Sequence, residues 1–201
     1  MVTQVVPANE ASWEDLQAIF GERGYPHRCQ CQRYKMGQAG YAPQPWEARA
    51  EALRQQTHCG VPDAEQTSGL VAYVDGEPAG WVAVEPRPFY RIFLINQPTA
   101  TLWKGRPEQD REDPDIWAVT CFRVRKEFQG EHLTYDLCAA TVPYAREQGA
   151  EVLEGYPIVS VPGIMITWGE LFVGSLGAFE AAGFEVVHTP SKRRRVVRVE
   201  F

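Results

Sequence analysis

Three groups of residues have types and spacings that could do chemistry. The first is the charged turn Arg125-Lys126-Glu127-Phe128-Gln129-Gly130. It follows an apolar run, Ile116 to Val124, and feeds a helical stripe of Leu133, Leu137, Cys138, Val142 and Ala145. A helix N-terminus reached through such a turn offers free backbone N–H groups and a partial positive charge, so the ligand it invites is an anion, above all a phosphate. The second group is Glu154 with Tyr156 in the short apolar run Val152 to Ile158. The two-residue period of a strand puts both side chains on one face. Burial would push a carboxyl there upward, toward the range where it works as a general base. An edge position facing solvent is the competing reading. Glu85, at the end of another apolar run, is a second carboxylate of this kind.

The third group is Cys29-x-Cys31 with His27, His58 and Cys59. These are zinc-ligand types, but the spacing is not the usual CxxC and nothing fixes the second pair nearby. Reduced structural thiols are therefore expected, and no metal. Cys121 has no identifiable His or acid partner and reads as packing.

The elements that must position these groups can be read in order. Thr3 to Val6 is a short β-type run. Ser12 and Asp15 form a cap signal before Trp13, Leu16, Ile19 and Phe20, and Gly21 and Gly24 end that helix. Gly24 to Tyr41 reads as irregular. Pro45 opens a helix with Trp46, Ala50 and Leu53 on one side and Arg49 interrupting it; it ends before Gly60. Asp75-Gly76 joins two β-rich runs, about Leu70 to Val74 and Ala79 to Val84, as a hairpin. Residues 86–114 form a long connection in which Tyr90 to Gln97 could cover the core, and residues 159–174 form another. Pro143 lies inside the helix after Gly130 and should kink it. Ser175 caps a short helix through Phe179 that Gly183 closes. Phe184 to His188 and Val196 to Phe201 then pair around a Thr189-Pro190-Ser191 turn.

At 201 residues, with 44% apolar and 23% charged residues, the chain is expected to fold as one soluble α/β domain. The predicted architecture is a mixed, mostly antiparallel sheet flanked by helices. A net charge of −6 argues against a nucleic-acid partner. The basic run Lys192 to Arg195 reads as a solvated turn, with an acidic partner as the second reading. No apolar run is long enough to span a bilayer, the N-terminus lacks a signal-peptide pattern, and five cysteines make an odd count. These point to the cytoplasm and to no membrane partner.

The hairpin DGEPAGWVAV, then CFRV-RKEF-QG, AREQGA, LEGYP and GSLGAFEAAGFEVV together resemble the GNAT acetyltransferase superfamily, from about Gly69 to the C-terminus. The resemblance implies an acyl-CoA N-acyltransferase fold, acetyl-CoA as co-substrate, and a primary amine of a small molecule or peptide as acceptor. The family motif Q/R-x-x-G-x-G/A falls on Gln129, Gly130, Glu131, His132, Leu133 and Thr134, which would hold the pyrophosphate. His132 stands at the central glycine and Thr134 at a small Gly or Ala, and His132 is expected to point to solvent. Backbone groups of Phe122, Arg123 and Val124 would hold the pantetheine arm, and Arg125 and Lys126 could reach outer phosphates. Glu154 would be the base. Phe179 occupies the place of the tyrosine that protonates the leaving thiolate, so that task would pass to Tyr156 or Ser175. These departures keep a second reading open, an acyl-CoA-binding regulator of the same fold with little catalysis. The acidic balance favours a cationic acceptor. A homodimer stays open.

Overall fold

The computed structural model describes residues 3–91, 102, 106, 111–167 and 170–201. Its strands are β1 (Thr3–Pro7), β2 (Leu70–Val74), β3 (Glu77–Pro86), β4 (Ile116–Val124), β5 (Val152–Gly155), β6 (Glu185–Ser191) and β7 (Arg194–Glu200). Its helices are α1 (Trp13–Phe20), α2 (Gly24–Cys29), α3 (Gln32–Tyr41), α4 (Trp46–Thr57), α5 (Leu133–Glu147) and α6 (Leu176–Ala181).

The strands form one sheet in the order β1-β2-β3-β4-β5-β7-β6. Only β4 and β5 run parallel; every other pair is antiparallel. This is the mixed, mostly antiparallel sheet the sequence predicts. The hairpin turns where expected, because Asp75 and Gly76 both take positive φ, 48° and 85°, as a two-residue turn of this hand requires. One face of the sheet packs on α5 and α6 through Val82, Val84, Val119, Phe122, Leu137 and Phe179. The other packs on α1 to α4 through Val71, Trp81, Ala83, Leu16, Phe20 and Leu53.

Three sequence expectations are corrected. Gly24 to Tyr41 is not irregular but forms α2 and α3, joined through Gln30 and Cys31 at positive φ, with a further break at Gly37 (φ 65°) inside α3. The last turn lies at Lys192-Arg193, since Thr189 to Ser191 belong to β6 and Ser191 pairs with Arg194. The ladder of β5 stops at Gly155, after which Ile158 bridges to Ser175 and Arg194. Helix α5 runs through Pro143 as one element. From residue 92 the expected Tyr90 to Gln97 cover lies outside the described residues.

The feature that matters for function is where β4 and β5 part. They pair from Ile116↔Val152 to Val119↔Gly155. Residues 120–124 of β4 continue beside β3 alone, with Gly80 opposite Val124. A wedge of rings lies at the parting. Phe179 meets Phe122 edge-on at 5.8 Å and Phe184 at 5.0 Å. A Cβ at Gly174 would lie 2.8 Å from Phe122 and 2.9 Å from Phe179, and one at Gly155 would overlap the Phe179 ring. Gly155→Ala should therefore destabilise the fold by about 1–3 kcal/mol, read as a lower melting temperature. Pairing it with Phe179→Leu should recover part of the loss if the ring is the cause.

Candidate active site

The opening between β4 and β5 holds a cavity of about 550 Å³. Its floor is the free half of β4, from Thr120 to Val124. One wall is the turn and first residues of α5. The opposite wall is built by α2, α3 and the end of α1, with Leu171 and Phe172 completing the rim.

The wall at α5 has the geometry an anion needs. Ser12 caps α1 by accepting from the Asp15 N–H at 3.0 Å, and Ser175 caps α6 by accepting from the Ala178 N–H at 3.3 Å. Helix α5 has no side-chain cap. Of its first N–H groups, that of Tyr135 donates to His132 O at 2.7 Å, those of Leu133 and Thr134 have no side-chain cap, and the positive end of a 15-residue helix opens on the cavity. Gly80 lets α5 settle this close: a Cβ there would meet Leu133 and Leu137 at 3.0 Å. The turn before α5 is left-handed, with φ 93° at Gly130 and 56° at His132. His132 thus adopts the conformation that the glycine of the motif would supply. Its exposed side chain meets Tyr135 edge-on at 5.6 Å.

Of the residues expected to bind a cofactor, Phe122, Arg123 and Val124 line the floor. Gln129, Gly130, His132, Leu133 and Thr134 line the α5 wall, whereas Glu131 is exposed and lies outside the lining. Arg125 is committed to the turn itself: its guanidinium donates to Pro78 O at 2.7 Å and lies over the Phe128 ring at 5.4 Å.

The expected catalytic groups divide. Ser175 lines the cavity. Glu154 and Tyr156 do share a face, as the strand period requires, but both are buried away from the cavity. Burial would raise the Glu154 carboxyl, yet the guanidiniums of Arg106, Arg87 and Arg198 outweigh it and hold the group below the usual carboxylate range. Arg106 grips both oxygens at 3.0 and 2.7 Å, Arg198 donates from Nε at 2.6 Å, and Arg87 lies at 3.4 Å. The upward shift expected for a base is thus reversed. Glu85 is likewise engaged, with Lys35 Nζ at 2.6 Å and the Ser68 hydroxyl donating at 2.6 Å. Glu85 lines a separate cavity of about 450 Å³ beside Pro86 and Trp117.

Sequence reasoning missed the α2–α3 wall, which contributes Tyr25, Cys29, Cys31, Arg33 and Tyr34. Tyr34 packs edge-on against Phe172 at 5.8 Å. Burial pushes its phenol up to about 12, against the opposing charge of Arg194. It is a protonated hydroxyl at neutral pH. Cys121, half-buried in the cavity lining, is hydrogen-bonded to Cys31, and burial adds to that bond in raising its thiol well above the ordinary range, which keeps it protonated. His27 Nδ1 contacts Gly21 O at 2.9 Å, and the Cys59 thiol donates to Thr57. Among the described residues no group of three His, Cys, Asp or Glu could hold a metal ion.

A family model described as Acetyltransferase (GNAT) family matches residues 31–156. No curated protein matches the chain by sequence. Solved structures share the fold at low identity. One is a GCN5-related N-acetyltransferase from Kribbella flavida, 16% identical, aligned over 99% of this chain and 98% of that one at a TM-score of 0.53. Another is an N-acetyltransferase from Staphylococcus aureus Mu50, 12% identical over 100% and 99% at 0.53. A third, an acetyltransferase, is 19% identical over 100% and 99% at 0.52.

Replacing Glu154 by Gln leaves its guanidiniums without a carboxylate and should cost about 3–5 kcal/mol. The carboxyl titrates below its ordinary value of 4.5, so its contribution is complete above that pH and fades as pH falls through the folded value. Melting curves of the two proteins should therefore converge on acidification below pH 4.5. A gap that stayed constant would mean that the carboxyl titrates alike in the folded and unfolded chain, so that the guanidiniums do not hold it down.

Proposed function

Because the chain belongs to the Acetyltransferase (GNAT) family, we propose that it transfers the acetyl group of acetyl-CoA to a primary amine by direct attack. The observation that carries this reading is the uncapped N-terminus of α5, behind a left-handed Gly130–His132 turn, opening on a cavity where β4 leaves β5.

The cavity suits such a co-substrate. The N–H groups at the start of α5 would receive the pyrophosphate, and backbone groups of Phe122 to Val124, which β5 no longer pairs, would hold the pantetheine arm. In the transfer, the amine nitrogen bonds to the thioester carbonyl carbon and the C–S bond breaks. The proton lost by nitrogen ends on the departing sulfur. Glu154 is not assigned as base, since it is buried and clamped by arginines. The proton donors we assign are the Tyr34 phenol and the Ser175 hydroxyl, the latter retaining its O–H while its oxygen caps α6. Tyr156 serves in packing beside Glu154. The acceptor is a small molecule or a peptide end, and we place the protein in the cytoplasm. Among the described residues no helix is long and apolar enough to cross a membrane.

One observation favours a second reading, an acyl-CoA-binding regulator. Phe179, at the tyrosine place of the motif, is a buried ring with no hydroxyl, and no carboxylate is among the described residues lining the cavity.

Millimolar acetyl-CoA should raise the melting temperature under both readings, and no shift would overturn both. Thiol release with a panel of amines separates them. Under catalysis, Tyr34→Phe should lower that rate roughly 10²-fold while the acetyl-CoA shift is kept. An unchanged rate would remove Tyr34 as the acid.

A further inference from the structure

We propose that the acceptor is an amine with a flat apolar body and a carboxylate, and that Arg33 reads the carboxylate. This rests on the acetyltransferase reading and concerns the acceptor end of the same cavity.

The α5 wall is occupied by the co-substrate role, so the acceptor must enter against α2 and α3. The surfaces it meets there are aromatic: Phe20, Tyr25, Tyr34 and Phe172. Such walls match a ring or an equivalent apolar body. Their charge is of one sign. Arg33 and Arg123 are the charged side chains among the described lining residues, with no carboxylate. Arg123 is partly spent, since its Nε donates to Ile19 O at 3.3 Å and burial pushes its pKa down. Arg33 is not. Its Nη1 donates to the Tyr25 phenol at 3.2 Å, an uncharged partner, and Tyr25, itself 45% exposed, lines the cavity. A guanidinium held in place by a phenol keeps its remaining N–H groups for a bidentate carboxylate.

The charge of this wall reverses what the net charge of −6 suggests. A polycation would meet two guanidiniums in a partly enclosed space. A carboxylate-bearing amine meets one attractive contact. The same positive field disfavours the ammonium form of its amine, the form that cannot attack. A wall of this kind supplies part of what a general base would, without a carboxylate of its own.

The test compares L-tryptophan and L-phenylalanine with their decarboxylated counterparts, tryptamine and phenethylamine, and with spermidine. Melting is measured on the protein alone and with saturating CoA, and thiol release from acetyl-CoA is followed in parallel. The two amino acids should raise the melting temperature and be preferred in turnover over their decarboxylated forms by about tenfold or more, with spermidine inert. Arg33→Gln should abolish the amino-acid shift, and Arg33→Lys should restore part of it. The inference is overturned if the decarboxylated amines or spermidine match the amino acids, if Arg33→Gln keeps their shift, or if none of the five is felt. A missing acetyl-CoA response would instead overturn the acetyltransferase reading, because the amino-acid shift is also read on the protein alone.

Discussion

The short parallel pairing of β4 with β5 is the constraint on which the rest of the structure depends. Four residues on each strand are paired, and then the strands part. In a closed sheet the N–H and C=O groups of Thr120 to Val124 would all be used. Here one edge of that segment is left open in the interior. Buried backbone groups must find partners, so an open edge is stable only where a ligand or solvent can reach it. The wedge of Phe122, Phe179 and Phe184 keeps it open, and Gly155 and Gly174 make room for the wedge. Phe179 thus has a packing role, wedged between Phe122 and Phe184.

On the face toward α1 to α4, burial of charge has gone into architecture. Glu154 with its arginines and Lys35 with Glu85 and Ser68 are both closed groups. Such clusters add little net stability over apolar packing, yet breaking one is costly, so they fix geometry more than they strengthen it. Arg198 and Arg87 bring the ends of β7 and β3 to the middle of β5, across the strand whose end opens the cavity. The charge that looked like chemistry holds the floor rigid behind it.

How much of this was legible in the sequence follows from the range of the forces involved. The hairpin, β4, α5 and the cap at Ser175 were read correctly because each is specified by near neighbours: positive φ at Asp75-Gly76, an apolar run, an amphipathic stripe, a serine before a helix. The fate of Glu154 was not, because its arginines lie 67, 48 and 44 residues away. Burial of a carboxylate shifts its pKa up or down according to its partners, and one-dimensional spacing does not contain them. The α2–α3 wall was missed for a different reason. Its helices are short, are punctuated by Gly24, Pro26 and Gly37, and carry no apolar stripe. They are held by tertiary bonds instead, such as Arg49 donating to the carbonyls of Arg28, Tyr41 and Gln44.

His132 joins the two kinds of information. The sequence puts a histidine in a glycine place, with its side chain expected in solvent. Its backbone takes a left-handed conformation of the kind glycine adopts without strain, at φ 56°. For a residue with a Cβ this costs of order 1 kcal/mol, and His is among the residue types that accept it most readily. The left-handed turn leads directly into the start of α5, whose Leu133 and Thr134 line the cavity. The phosphate-binding role of such a motif lies in backbone direction, and a side chain is tolerated wherever it can leave the path of the ligand. Here the exposed His132 ring packs edge-on against Tyr135, and both residues line the cavity. Phe179 is the opposite case, since a phenyl ring has no proton to offer whatever the backbone does.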